Sequence, residues 1–266
     1  MNKKNAIIIL ATNSYLPLGL RLISKIKKFY KDIDNLDIHL VADFDLSNKI
    51  KLDNIIMHSR SANTWDLSTM LKLDICLSIA ANYDYEYIGC LDADTNIYRS
   101  FDESEIFAES FVMKHVSTGI SAPSIHYEDN KKSSAYVPPS EYQEVYYQTC
   151  YFGGTKNKMT DMVKMAIDLR TLDLNRNIIA KWTDEGYLQK YFIANPPFIA
   201  FEPNDQNIFP FVANDKGSSI DKINTGKHYK PFQDITVDEY NTMLEKIYQL
   251  LSTNNDSWDI VEDKIV

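Results

Sequence analysis

Cysteine is scarce: Cys76, Cys90 and Cys150 are the only three in 266 residues. They are odd in number, at no metal-ligand spacing, and each sits in an apolar or aromatic context. Reduced thiols in a reducing compartment are expected, not a disulfide framework or a zinc site. No apolar run near the N-terminus approaches the ~20 residues of a membrane span, and the longest, Ala6 to Ala11, has no small-residue cleavage site. Nothing in the sequence secretes or anchors the chain, so the expectation is cytoplasmic, with peripheral contact through a membrane-bound substrate left open. Positive charge is in deficit too, with 28 Lys and Arg against 37 Asp and Glu and a formal charge of −9. That argues against a duplex nucleic-acid binder, whose affinity rests on clustered basic residues. A phosphorylated small molecule held by a local basic pocket or a divalent cation stays compatible. Internal repeats, linkers and low-complexity blocks are also missing, so one domain is expected.

What is present suffices for a packed core: 44% hydrophobic residues, 12% of the total aromatic. Ala6-Ile7-Ile8-Ile9-Leu10-Ala11 reads as a strand buried on both faces. Leu18 to Tyr30 carries a helical period after Pro17, Asp37 to Ala42 a second strand, Leu67 to Ala80 a broadly apolar helix, and Tyr87 to Leu91 another buried strand. Residues 1–100 thus form a Rossmann-like, nucleotide-binding half. From about Ser110 to Ser140 the pattern dissolves. An aromatic strand then runs from Val145 to Phe152, closed by Gly153-Gly154, with helices over Asn157 to Leu172 and Thr183 to Ile193. Residues 101–203 make an acceptor and catalytic half. Residues 204–266 form a C-terminal segment, in which Asn204 to Thr236 is expected to be a mobile lid and Val237 to Leu251 a final helix.

Ligands of such sheets lie beyond the carboxyl ends of the strands. Three strand ends here carry polar groups: Thr12-Asn13, Asp43-Asp45 and Asp92-Asp94. On an extended segment, residues two apart point the same way, so Asp92 and Asp94 can converge on one hard cation, Mg²⁺ or Mn²⁺, that keeps sites for water and substrate phosphate. Both could equally just end a strand, since Asp is favoured in turns.

Trp182-Thr183-Asp184-Glu185-Gly186 is the second constellation. Thr183 can cap a helix whose first turn holds Asp184 and Glu185, a bland arrangement stabilised by the helix dipole. Alternatively Glu185 faces a sugar's anomeric carbon, as nucleophile or as stabiliser of an oxocarbenium-like transition state, while Asp184 holds sugar hydroxyls.

Four blocks resemble glycosyltransferase family 6, the retaining α-1,3-galactosyl- and N-acetylgalactosaminyltransferases that include the ABO blood-group enzymes. They are LATNSY from Leu10, LDAD from Leu91, SSAYVPPSEYQEVYYQTCYFGG from Ser133 to Gly154, and WTDEGYLQKYF from Trp182 to Phe192. The likeness spans Ala6 to about Pro203. It implies an α/β GT-A fold with a mixed central sheet, a UDP-sugar donor, an oligosaccharide or glycolipid acceptor, and Mn²⁺ or Mg²⁺ held by Asp92 and Asp94. It further implies that Ala11, Thr12 and Tyr15 line the nucleotide site and that Glu185 is the catalytic glutamate. Asp184, Gln148 and Cys150 would contact the donor sugar, and Trp182, with Gln148, the acceptor. Stemless relatives often carry asparagines at the metal positions; keeping both aspartates predicts metal dependence.

Some positions depart from the family. Thr183 stands where it usually has His, Gly186 where it has Ser, and the Gln148 and Cys150 pair fits neither familiar sugar signature. Beyond residue 203 the likeness fades, and TGKHYKPF from Thr225 resembles the C-terminal segment of family 8 retaining transferases. Lys227 or Lys230 there is a candidate clamp for the leaving diphosphate. The expected activity is metal-dependent transfer of galactose or N-acetylgalactosamine from UDP in α-1,3-type linkage. A family 8-like UDP-glucose or UDP-galactose transferase and a catalytically silent sugar-nucleotide-binding protein are the alternatives.

Overall fold

The computed structural model describes residues 4–12, 15–42, 54–60, 65–115, 126–202 and 210–212. The Asp43-Asp45 strand end, Lys227, Lys230, most of the expected lid and the final helix lie outside the described residues. A seven-stranded sheet runs in the order β3 (Ile55–Ser59), β2 (Leu36–Ala42), β1 (Asn5–Leu10), β4 (Tyr87–Asp92), β7 (Tyr147–Thr155), β6 (Ser110–Lys114) and β8 (Ile199–Phe201). The first four are parallel; β7 is antiparallel to both β4 and β6, and β8 is parallel to β6. This is the mixed sheet of a GT-A fold.

Alternation along β1 explains the layers. Ile7 and Ile9 pack with helix α1 (Leu16–Phe29) in one apolar cluster. Ala6 and Ile8 face the opposite cluster, with α2 (Trp65–Asn82), α4 (Lys156–Leu174) and α5 (Thr183–Ala194). A strand covered on both sides needs apolar residues throughout, hence the unbroken run. α1 sits so close to the end of β1 that a Cβ at Gly19 would lie 2.4 Å from that of Ala11. A short helix α3 (Glu103–Ile106) begins with Asp102 and Glu105 in a reciprocal capping box. A separate ribbon pairs β5 (Asn96–Ile97) with β9 (Phe211–Val212). Among the described residues no helix is long and apolar enough to cross a membrane. All three cysteines are buried and none forms a disulfide.

Several expectations need correction. Ser110 to Lys114, at the start of the stretch expected to lack a pattern, form β6, whose Phe111, Val112 and Met113 are buried. β3 was not anticipated either. β7 does not close at Gly153-Gly154 but continues through both glycines, with Gly153 opposite Gly89. A Cβ on Gly153 would stand 2.1 Å from the Ile88 carbonyl and 2.6 Å from the Phe111 ring. That glycine serves strand packing and does not end the strand. Gln148 and Cys150 do share one side of β7, since Gln148 pairs with Met113, which lies with Cys150 in the α1-side cluster. The β6–β7 register jumps between Val112↔Phe152 and Met113↔Gln148, and Cys150 joins Tyr151 in the α1-side cluster. Such bulges re-aim side chains next to functional sites.

Candidate active site

β4 delivers Asp92 at its end, but the chain turns at once, with Thr95 N donating to Asp92 O at 3.1 Å. Asp92 and Asp94 are therefore not two positions on one extended face, as their spacing suggested; a turn sets their relation. The Asp92 side chain keeps partial access to solvent, at 23% exposure. Asp94, at 5%, does not.

α2 brings Lys72 against this turn. Its ammonium lies 2.9 Å from Asp92 Oδ1 and 3.1 Å from Asp184 Oδ2, with 6% of the side chain exposed. Burial alone would lower the Lys72 pKa, but Asp184 and then Asp92 more than reverse this and hold it well above the ordinary lysine value. A permanently charged ammonium thus joins the two carboxylate constellations. The sequence reading missed it, because one lysine in an apolar helix looks solvated; only its position one helical turn after Ser68 and Thr69 marks the face it shares with them.

Asp184 has two further partners: Thr149 Oγ1 donates to Oδ2 at 3.1 Å and Thr183 Oγ1 to Oδ1 at 3.2 Å. Glu185 Oε2 accepts the Thr149 amide at 3.2 Å. The β7 irregularity around Thr149 thus presents a backbone donor and a side-chain donor to adjacent carboxylates. Thr183 does not cap the helix as expected. The N-cap is Trp182, without a side-chain cap bond, and Thr183 is the first helical residue, at φ 45°. For a β-branched residue that left-handed conformation costs about 1–2 kcal/mol, so surrounding contacts must hold it.

Tyr146 hydrogen-bonds Glu185, and beside Tyr146 an aromatic group of His126, His115 and Trp182 assembles. Ring centroids are 4.3 Å apart for the two histidines, 5.2 Å for His126 and Tyr146, and 6.2 Å for His126 and Trp182. Burial first, and the adjacent Glu185 charge next, push the Tyr146 phenol well above its usual range. His126 is lowered by burial and by Lys181. None of these except Trp182 was foreseen.

The remaining predicted residues fall at the nucleotide end or on β7. Ala11 is fully buried, so its side chain belongs to the core. Thr12, 3% exposed, shares a 2.8 Å hydroxyl bond with Ser68 of α2. Tyr15, half-buried, leads into α1 and packs on the apolar cluster. Gln148 is 5% exposed, and its Nε2 has no hydrogen-bond partner among the described residues; Thr95 Oγ1 is orphaned likewise.

These orphans bear on a metal ion. Asp92 and Asp184 meet at the Lys72 ammonium, Asp94 lies in the turn after Asp92, and Glu185 follows Asp184 in α5, so hard oxygen donors gather here. No group of three or more His, Cys, Asp and Glu able to hold a metal occurs among the described residues. The residues fit a cation that takes one or two carboxylates and draws its other ligands from water and a diphosphate.

The model of glycosyltransferase family 6 matches residues 37–235. The chain belongs to glycosyltransferase family 6. The match begins after the LATNSY block and runs past residue 203, so Lys227 and Lys230 fall inside the family 6 span, and the likeness does not fade where expected. The TGKHYKPF segment therefore needs no second family. Similar proteins include the globoside α-1,3-N-acetylgalactosaminyltransferase 1 of Gallus gallus, 23% identical over 62% of this chain and 48% of that protein. Another is the O-antigen biosynthesis glycosyltransferase WbnI of Escherichia coli, 26% identical over 62% of this chain and 71% of that one. A third is the histo-blood group ABO system transferase 2 of Rattus norvegicus, 24% identical over 56% and 45%. The chain spans about half the length of the two animal relatives.

Proposed function

We propose that this family 6 chain is a metal-dependent, retaining glycosyltransferase. It moves galactose or N-acetylgalactosamine from UDP to a hydroxyl of an oligosaccharide or glycolipid acceptor in α-1,3-type linkage. The single observation that carries the reading is the Lys72 bridge between Asp92 and Asp184, which joins the strand end expected to meet a diphosphate to the helix start expected to meet a sugar. The name of the globoside relative supports N-acetylgalactosamine and the α-1,3 linkage.

In this mechanism Lys72 offsets negative charge between sugar and diphosphate. Asp184, held by Lys72, Thr149 and Thr183, accepts hydrogen bonds from donor-sugar hydroxyls. Glu185, steadied by the Thr149 amide, faces the anomeric carbon and stabilises the positive charge that develops as the bond to UDP breaks. Gln148 gives its orphaned amide hydrogens to the donor sugar or the acceptor, and Trp182 with His126 forms a wall for acceptor rings. Tyr15, with Thr12 beside it, lines the nucleotide site while Ala11 backs it from the core, and Lys227 and Lys230 neutralise departing UDP. A divalent cation on Asp92 and Asp94 would supply Lewis-acid stabilisation of the diphosphate.

The test is a panel of UDP-sugars with glycan acceptors, with and without Mn²⁺. Metal-stimulated transfer from UDP-galactose or UDP-N-acetylgalactosamine is expected. Strong preference for UDP-glucose, or no transfer or donor hydrolysis at all, would overturn the reading.

A further inference from the structure

Asp184 is held on one oxygen by two groups: Lys72 Nζ and Thr149 Oγ1 both meet Oδ2, each at 3.1 Å. Partners on a single oxygen leave a carboxylate free to swing about it. What fixes the second oxygen is Thr183 Oγ1, 3.2 Å from Oδ1. That hydroxyl is in turn the acceptor for Thr69 Oγ1 of α2, at 2.7 Å. Each hydroxyl that donates onward is polarised by the one donating to it, so the two bonds reinforce each other where water is excluded. Thr183 is 1% exposed, and its φ of 45° is one that β-branched residues adopt only when held. Besides Thr69, the hold comes from its own amide, which donates to Ala180 O at 2.9 Å. The next peptide closes the turn, Glu185 N donating to Trp182 O at 3.0 Å.

We propose that Thr69 and Thr183 form a hydroxyl relay that sets the plane of the Asp184 carboxylate and the start of α5, making both positioning residues for Glu185. The proposal rests on the transfer activity proposed above. Neither threonine touches substrate; they act through Asp184 and the backbone. The relay also explains why a strained β-branched residue stands here and not a glycine, which would adopt the same φ without cost but carry no hydroxyl.

Thr69→Val keeps the shape of the side chain and deletes the donor; Thr69→Ser restores the hydroxyl, and Thr69→Ala repeats the deletion without the steric demand of valine. Amide hydrogen exchange is measured on the full chain without substrate, alongside kcat and donor KM. In the Val and Ala variants, exchange at Glu185 and Gly186 should quicken ~10-fold while the middle of α4 and the melting temperature stay as in the wild type. kcat should fall ~10-fold or more at unchanged KM, as for a misaligned reacting group. Thr69→Ser should recover both. Unchanged exchange at Glu185 and Gly186, or failure of serine to rescue, overturns the relay. If exchange shifts as expected but the wild type transfers no sugar, the relay stands and the proposed activity falls. If the wild type transfers sugar and the Val variant equals it in rate and exchange, the activity stands and the relay falls.

Discussion

Lys72 Nζ lies 2.9 Å from Asp92 Oδ1, and through the same ammonium the end of β4 is tied to Asp184 at the start of α5. Replacing Lys72 by Met removes the only cation placed between these carboxylates among the described ion pairs. A broken buried pair of this kind typically costs 3–5 kcal/mol, roughly the expected loss of stability. Transfer should fall ~100-fold or more, since the charge on the diphosphate side is no longer offset. Calorimetry and initial rates check both. A Met variant that keeps melting temperature and rate contradicts the bridging role.

Gln148 buries an amide donor with no partner among the described residues. Such a group typically costs about 1–3 kcal/mol, so Gln148→Leu should raise the melting temperature of the unliganded protein. The same change should raise donor or acceptor KM ~10-fold, because the orphan meets its partner only when substrate is bound. Higher stability without any change in either KM would show that the amide faces no ligand.

His39, with no exposed surface, bonds His58 Nε2 through Nδ1 and the Tyr85 hydroxyl through Nε2, each at 2.8 Å. Tyr85 donates onward to Asp37 Oδ2 at 3.0 Å. His39 Nε2 therefore carries the proton, and Nδ1 accepts from His58. Burial, then His58, lower the His39 pKa to about 3 despite the opposing charge of Asp37. Unfolded, the imidazole titrates near 6.5. The folded value being the lower, this stability is fully present above about pH 6.5 and drains away as pH falls towards 3. At pH 5 the loss is about 2 kcal/mol. Urea melts at neutral pH and pH 5 should reveal it, and His39→Gln should shrink the difference; an unchanged difference contradicts the assignment.

Gly153→Ala would force a methyl to 2.1 Å from the Ile88 carbonyl, where two strands meet. Backbone cannot yield cheaply in the middle of a sheet, and overpacking of this kind costs about 1–3 kcal/mol or more. The melting temperature should fall with donor KM little changed. A variant as stable as the wild type would contradict this packing role.

β1, β2 and β4 were legible because strands covered on both faces need unbroken apolar runs, and α1 and α4 because their apolar residues recur on one side. β3 and β6 were not, because each is a five-residue strand whose pairing depends on partners distant in the chain. Asp184 and Glu185 could be read from a motif, whereas Lys72, Tyr146 and His126 could not. Nothing local distinguishes a lysine aimed at two aspartates from one in water. The turn after Asp92 and the displaced role of Thr183 share that cause, since tertiary hydrogen bonds set backbone angles that local preference disfavours.

The anomeric configuration of the product, and its dependence on Glu185, tests the central claim most directly. An α-linked UDP-sugar and glycan acceptor are incubated with the wild type and with Glu185→Gln, and the new linkage is read by proton NMR. The account predicts an α-linked product whose rate of formation falls ~100-fold or more in the variant. A β-linked product, or an α-linked one formed undiminished by Glu185→Gln, would contradict it.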